Sequence, residues 1–362
     1  MPGKTARSSN LELLRILCML LIIGDHLTGQ GGIADYTTLP SSFAFCLIGC
    51  GSRIACSVFI LIGGWFLCEQ PYKARRPLSL WLSLWLYTVP VTLLCRLGGL
   101  DVSLGALRWA LFPASTRQLW FISDYLLLLL CVPLLNRLLH GLPRTAHRGV
   151  LAVLAVPLLV YPTLFAENGL TGDTAWMFLY EYLLIAYLRR YPDNRLTRLL
   201  QRRCAAVLLG LGLPLVNTAV RAVLEMRGLT DGRVFRYIAY YRTALGALPS
   251  LLAALALFYL FEGLSLGSVR WINALSGTTL GVYILHQIPA FRGFLWNGIL
   301  QAQAHHGSVG YTLFAVAAVF LGCAAVDAAR TALVMRPLEK TKLFRTLCEK
   351  GDALAAKITA DD

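Results

Sequence analysis

Apolar blocks recur from residue 11 to residue 335 of this 362-residue chain, each about as long as the roughly 20 residues a helix needs to cross the hydrocarbon of a bilayer. No other feature constrains the fold as strongly. The composition agrees: 57% of residues are hydrophobic and 14% charged, and the mean hydropathy is +0.62, whereas ordinary soluble domains are about 25% charged. Charges, Pro and Gly bound spans near 11–30, 43–67, 78–96, 118–139, 149–166, 174–189, 204–222, 239–262, 275–297 and 309–335. The expected fold is all-α, a polytopic integral membrane protein of about ten transmembrane helices. One transmembrane domain covers residues 1–337, and residues 338–362 form a short carboxyl tail, too short to fold alone. The sequence carries no repeat, low-complexity segment or appended soluble domain.

The formal net charge of +14 does not point to nucleic acid, because the basic residues sit in short loops between apolar blocks and make no single basic arm. They act as topology signals, since Lys and Arg accumulate in cytoplasmic loops. Lys4 and Arg7 precede the first block. Lys73, Arg75 and Arg76 lie in the second loop, Arg137, Arg144 and Arg148 in the fourth, and Arg189, Arg190, Arg195, Arg198, Arg202 and Arg203 in the sixth. The first loop, 31–42, and the fifth, 167–173, hold no Lys or Arg. Both termini are therefore expected in the cytoplasm. The tail agrees through Arg336, Lys340, Lys342, Arg345 and Lys350, while Arg227, Arg233 and Arg236 in a loop expected outside do not. The cysteines lack a CxxC spacing and lie in or beside apolar spans, as small buried hydrophobes do. Neither a disulfide framework nor a metal site is expected. A cleaved signal peptide is not expected either, because Arg15, Asp25 and His26 interrupt the first apolar run.

That run is the exception to the apolar pattern. Ser9 and Glu12 fit an N-cap and the third helical position of a capping box. Arg15 and His26 are eleven residues apart, which on a helix is about 16 Å of rise and three turns plus about 20°. They share one face at different depths. A charge inside a membrane costs at least about 2.5–3.5 kcal/mol, so such groups face a cavity or a partner. For Arg15 the structural role is pairing with Glu12 or reaching to the headgroups. For His26 it is a hydrogen bond to another helix, and the functional role is proton transfer near neutral pH. Asp25 points about 100° away from His26, so a carboxylate from another span is the better orienter, with Asp124 and Glu181 as candidates.

The segment NLELLRILCMLLIIGDH, with Arg15 and His26 as its Arg-x10-His, resembles the first helix of acyltransferase family 3, the bacterial membrane-bound O-acyltransferases linked to exopolysaccharide and other surface glycans. SVFILIGGWFL (57–67), LWFISDYLLLLLCVPLLN (119–136), YEYLLIAYLRR (180–190) and INALSGTTLGVYILHQ (272–287) follow in the family's order. The ordered set covers nearly the whole chain. Departures are Gly63 where a serine is usual, Trp65 in place of tyrosine, Ser57 for a frequent Asn or Asp, and Ser79 where Arg-x-x-Arg would place an arginine after Arg76.

The resemblance implies transfer of an acyl group, usually acetyl, from acetyl-CoA or another acyl-CoA to a hydroxyl of an extracytoplasmic glycan or glycolipid, in the bacterial cytoplasmic membrane and among membrane lipids. It implies a catalytic role for His26 and an acyl-donor role for Arg15, with Arg76 beside it. Such chemistry suits the residues, because a sugar hydroxyl needs a positioned base during attack. His286, Tyr283, Trp120 and Tyr125, with Asp124 and Glu181, are the further substrate-lining or supporting candidates; as packing residues they would need no ligand. The competing functions are a transporter or flippase of a polysaccharide or lipid-linked intermediate, since intramembrane Arg, His and acids also mark substrate pathways, and a membrane scaffold or sensor with a decayed site.

Overall fold

The computed structural model describes residues 9–167 and 174–359; Lys4, Arg7 and residues 168–173 of the fifth loop lie outside the described residues. Among the described residues the chain is helices and connecting turns, and it is an all-α polytopic membrane protein. Six helices are long and apolar enough to cross a membrane: Leu39–Leu67, Arg75–Leu97, Trp120–Gly141, Arg144–Phe165, Arg203–Met226 and Val309–Lys340. The other segments expected to span are helical too, but shorter, broken or more polar.

Ten helices carry the functional geometry, seven of them ahead of residue 277. They are α1 (Ser9–Gln30), α2 (Ser52–Leu67), α3 (Arg75–Leu97), α4 (Trp120–Gly141), α5 (Thr174–Arg190), α6 (Leu248–Glu262) and α7 (Arg270–Ser276). Three more complete them: α8 (Thr279–Gln287), α9 (Val309–Arg330) and α10 (Lys342–Thr359). The short helices α5 and α6 are apolar on nearly every face, from Met177 to Leu188 and from Leu251 to Tyr259. A helix that is apolar all round is one enclosed by others.

Helix α1 is the hub and packs against α2, α6, α7, α8 and α9. Glycines permit two of the closest approaches. A Cβ on Gly51, just before α2, would lie 2.5 Å from Leu21, and one on Gly24 would lie 2.8 Å from the Ile48 carbonyl oxygen. The pair Gly63 and Gly64 does the same on the far side of α2, where a Cβ at Gly64 would lie 2.7 Å from Ile185 of α5 and one at Gly63 would lie 3.0 Å from the Tyr125 hydroxyl. The departure at Gly63 therefore sits against Tyr125.

Polar side chains of α1 bond to α7, α8 and their flanks at a nearly constant sequence offset. Ser9 Oγ reaches Asn273 at offset 264, Glu12 accepts from Ser276 at 264, His26 meets His286 at 260 and Gln30 meets Gln287 at 257. A constant offset means that the two stretches run parallel and side by side. The expected capping box is not formed. The Ser9 amide donates to the Gly267 carbonyl, Ser9 Oγ accepts from the Val269 amide at 2.6 Å, and the Glu12 carboxylate takes Ser276 and Arg15. The nearby strand-like crossing of Val269 offers these groups partners that a local cap would not.

Helix α9 packs against both α8 and α1. The Asp327 carboxylate of α9 lies against the backbone at Gly281, where a Cβ would overlap Oδ1. Gly281→Ala is expected to push α8 from α9 and lower stability by about 1–3 kcal/mol. Thermal unfolding of the detergent-solubilised protein measures it, and an unchanged midpoint counts against this packing.

Candidate active site

Near the carboxyl end of α1, two histidines meet. His26 Nδ1 lies 2.9 Å from His286 Nε2, and His286 Nδ1 lies 2.6 Å from the Val282 carbonyl oxygen one turn earlier on α8. These contacts fix the protons. A carbonyl only accepts, so His286 Nδ1 must be the donor there, and in neutral His286 Nε2 is then the acceptor. His26 Nδ1 consequently donates to it. His26 Nε2 keeps its lone pair and is the basic atom of the pair. His286 is fully buried and His26 half-buried, so the positioning ring is sealed while the basic one has access.

Neighbouring groups hold the pair in place. The Tyr283 ring centroid is 6.5 Å from that of His26 and 6.0 Å from that of His286, and Trp296 packs 6.1 Å from His286. Gln30 and Gln287 exchange amide hydrogen bonds at 3.3 Å, and Trp296 Nε1 donates to Gln30 at 3.3 Å. This amide pair and the indole clamp the ends of α1 and α8 together, one turn beyond His26 and one residue beyond His286.

Two neighbouring cavities, which share lining residues, lie between Tyr283 and the amino end of α1, and neither is lined by His26 or His286. The inner one, about 220 Å³, is lined by Tyr283, Phe121, Tyr125, Thr279, Ser276 and Arg15 among others. The outer one, about 420 Å³, shares Arg15 and Tyr125 with it and adds Arg76, Ser79, Asp327 and Arg330. Three guanidinium side chains thus line one cavity. Arg15 also pairs with Glu12 at 3.3 Å, so its structural partner and its exposure to the cavity coexist. Arg330 is braced on both sides: Nη2 donates to Asp327 at 3.0 Å, the guanidinium lies 4.7 Å over the Tyr87 ring, and Tyr87 donates to the same carboxylate at 2.5 Å. A fixed, planar cation of this kind suits phosphate or carboxylate oxygens.

Against this geometry the comparisons with known proteins are decisive on the family. The family model described as Acyltransferase domain, that of acyltransferase family 3, matches residues 8–328. The chain belongs to acyltransferase family 3. No curated protein and no solved structure matches it. This membrane acyltransferase performs O-acyl transfer.

Within the acyltransferase, the residues singled out in the sequence separate into groups. His26, His286 and Tyr283 converge on one another, Tyr283 lines the smaller cavity with Arg15 and Tyr125, and Arg15, Tyr125 and Arg76 line the larger one. Asp124 and Glu181 are engaged elsewhere: His26 pairs with His286, while Asp124 accepts from Arg117 at 2.9 Å and Glu181 from Ser57 at 2.5 Å. Arg117 lies just ahead of the helix that carries Asp124, Ser57 lies on α2 across from Glu181 of α5, and a buried imidazole acceptor replaces the carboxylate anticipated for His26. Trp120 carries Arg53 over its ring at 4.7 Å and packs on Phe121, one ring removed from Tyr283. Arg75, next to Arg76, turns outward to Glu339 at 2.5 Å.

Arg330, Asp327, Gln30, Gln287 and Trp296 were not legible as site residues. Arg330 could have been found, since an Asp and an Arg three apart inside an apolar block form an intramembrane pair. Loss of the imidazole acceptor should free the His26 tautomer. His286→Ala is expected to lower kcat for acyl transfer by about 10²-fold or more with a much smaller change in donor KM. A KM effect as large as the kcat effect would assign His286 to substrate binding instead.

Proposed function

We propose that this acyltransferase moves an acyl group, acetyl in the simplest case, from cytoplasmic acyl-CoA to a hydroxyl of an extracytoplasmic glycan or glycolipid at the bacterial cytoplasmic membrane. The observation that carries this proposal is a tautomer-fixed base, His26 Nε2, whose ring neighbour Tyr283 lines a cavity that Arg15 also lines, beside a second cavity lined by Arg15, Arg76 and Arg330. Loop charges put the arginine end in the cytoplasm, where an anionic donor is available. Its phosphates suit the guanidinium groups. Its extended thiol arm suits the narrow cavity along α1, whose rise from Arg15 to His26 is about 16 Å.

In this mechanism His26 Nε2 takes the proton of the acceptor hydroxyl as the oxygen attacks the thioester carbonyl carbon. His26 Nδ1 holds its hydrogen bond to His286 Nε2 throughout, so the imidazolium that forms keeps an acceptor for its second proton. The tetrahedral adduct then expels the thiolate, and His26 returns the proton to sulfur. An ester and a free thiol result, and the histidine is regenerated. Phe121, Tyr125 and Tyr283 exclude water from the path of the thioester, which favours the glycan hydroxyl over hydrolysis.

His26→Ala at normal expression is expected to abolish both acyl-CoA consumption and the matching mass increment on surface glycans, with mass spectrometry as the readout. Full transfer by that variant would remove the proposed base. Arg330→Gln is expected to raise donor KM roughly ten-fold, as loss of a hydrogen bond to a charged group does, with kcat little changed in steady-state assays.

A further inference from the structure

The carboxyl tail forms a helix, α10, whose packing leaves one face open. Phe344, Gly351 and Ala355 turn toward the bundle: Phe344 and Ala355 are buried, and a Cβ on Gly351 would lie 2.6 Å from Ala74. Asp352 accepts from the Ala74 amide at 2.6 Å, and Arg137 donates to the Ile358 carbonyl at 3.0 Å. Ala74 precedes α3, and Arg137 lies near the end of α4. The helix therefore crosses the ends of two spanning helices, at the end of the bundle that holds Arg15 and Arg76.

Leu343, Leu347, Leu354 and Ile358 are all exposed, Leu343 by 70% and Leu354 by 59%. At 3.6 residues per turn the four fall within an arc of about 60°, and the arc's centre lies about 70° round from the bundle-facing residues. On its other border stand Lys350 and Lys357, about 20° and 40° beyond Leu343. Arg345 and Glu349 occupy the remaining face. A helix lying across span ends meets protein on one side and, roughly a quarter turn away, the bilayer. The stripe sits at that quarter turn, and the lysines sit where their ammonium groups reach headgroups from apolar stems.

We infer that α10 is an interfacial helix that seats its Leu343, Leu347, Leu354 and Ile358 stripe in the bilayer surrounding the bundle and pairs Lys350 and Lys357 with anionic headgroups. Continuity argues for lipid as the occupant. The helix follows a span, Val309–Lys340, that already stands in the bilayer, and the basic excess complements anionic lipid.

The test uses the full chain reconstituted in vesicles of phosphatidylcholine and phosphatidylglycerol, with photoreactive benzoylphenylalanine placed at position 354 or, as a control on the opposite face, at position 356. Intact-protein mass spectrometry after illumination should find lipid adducts several-fold more abundant at 354 than at 356. An adduct of twice the protein mass would mean that a second copy covers the stripe, and equal or absent lipid labelling would mean that water does; each overturns the inference. Position 343 repeats the measurement if the 354 variant fails to accumulate. Lys350→Gln with Lys357→Gln should reduce the preference for phosphatidylglycerol adducts several-fold, and an unchanged preference removes the headgroup pairing.

Discussion

A polar side chain on a helix inside a bilayer must find its partner within the protein, and α1 carries a long series of such groups. Its Ser9, Asn10, Glu12, His26 and Gln30 all reach the stretch from Phe261 to Trp296. The parallel register of α1 with α7 and α8 satisfies that whole series at once. Packing follows from it: the glycines at 24 and 51 let α1 and the start of α2 close on each other, and Gly281 lets α9 close on α8. The base, its acceptor and the arginine-lined cavities are consequences of the same alignment.

The alignment also explains how chemistry is kept separate along one helix. At one end the imidazoles are held by aromatic rings and an amide pair. At the other, Arg15 is tied to Glu12, and Glu12 is tied to Ser276 of α7, so the cation facing the cavity is anchored to the same stretch that presents His286. Arg330 is anchored independently, through Asp327 and Tyr87. Two cations on separate supports frame one cavity, and neither support includes the histidine pair.

Much of the architecture was legible in the sequence because lipid imposes a simple rule: block length and loop charge predict an all-α membrane bundle, and helical spacing predicts that Arg15 and His26 share a face. What was not legible depends on contacts across long separations. Acids in apolar spans, such as Asp124 and Glu181, look like partners for a buried base, yet each is answered by a residue that spacing alone does not select. His286 satisfies His26 across 260 residues, and nothing local marks a neutral imidazole as an acceptor until the Val282 carbonyl fixes its other nitrogen. Arg330 is the exception, because its spacing from Asp327 inside an apolar block marks an intramembrane pair. Enclosure blurred the spans themselves, since α5 and α6 are apolar for protein neighbours and so need not be long.

The sequence offset of about 260 that brings α1 to its partners has a consequence for biosynthesis. Helix α1 is the first of these helices to emerge from the ribosome, and the stretch that answers its polar groups is among the last. For most of synthesis the nascent chain holds His26 and Gln30 without their final partners and Glu12 without Ser276, although Arg15 already has Glu12 within the same helix. The site therefore closes late, and its closure coincides with completion of the bundle. A chain that ends before Thr279 has neither the acceptor for His26 nor the amide partner of Gln30, so the proton-handling pair exists only once both distant stretches have been made.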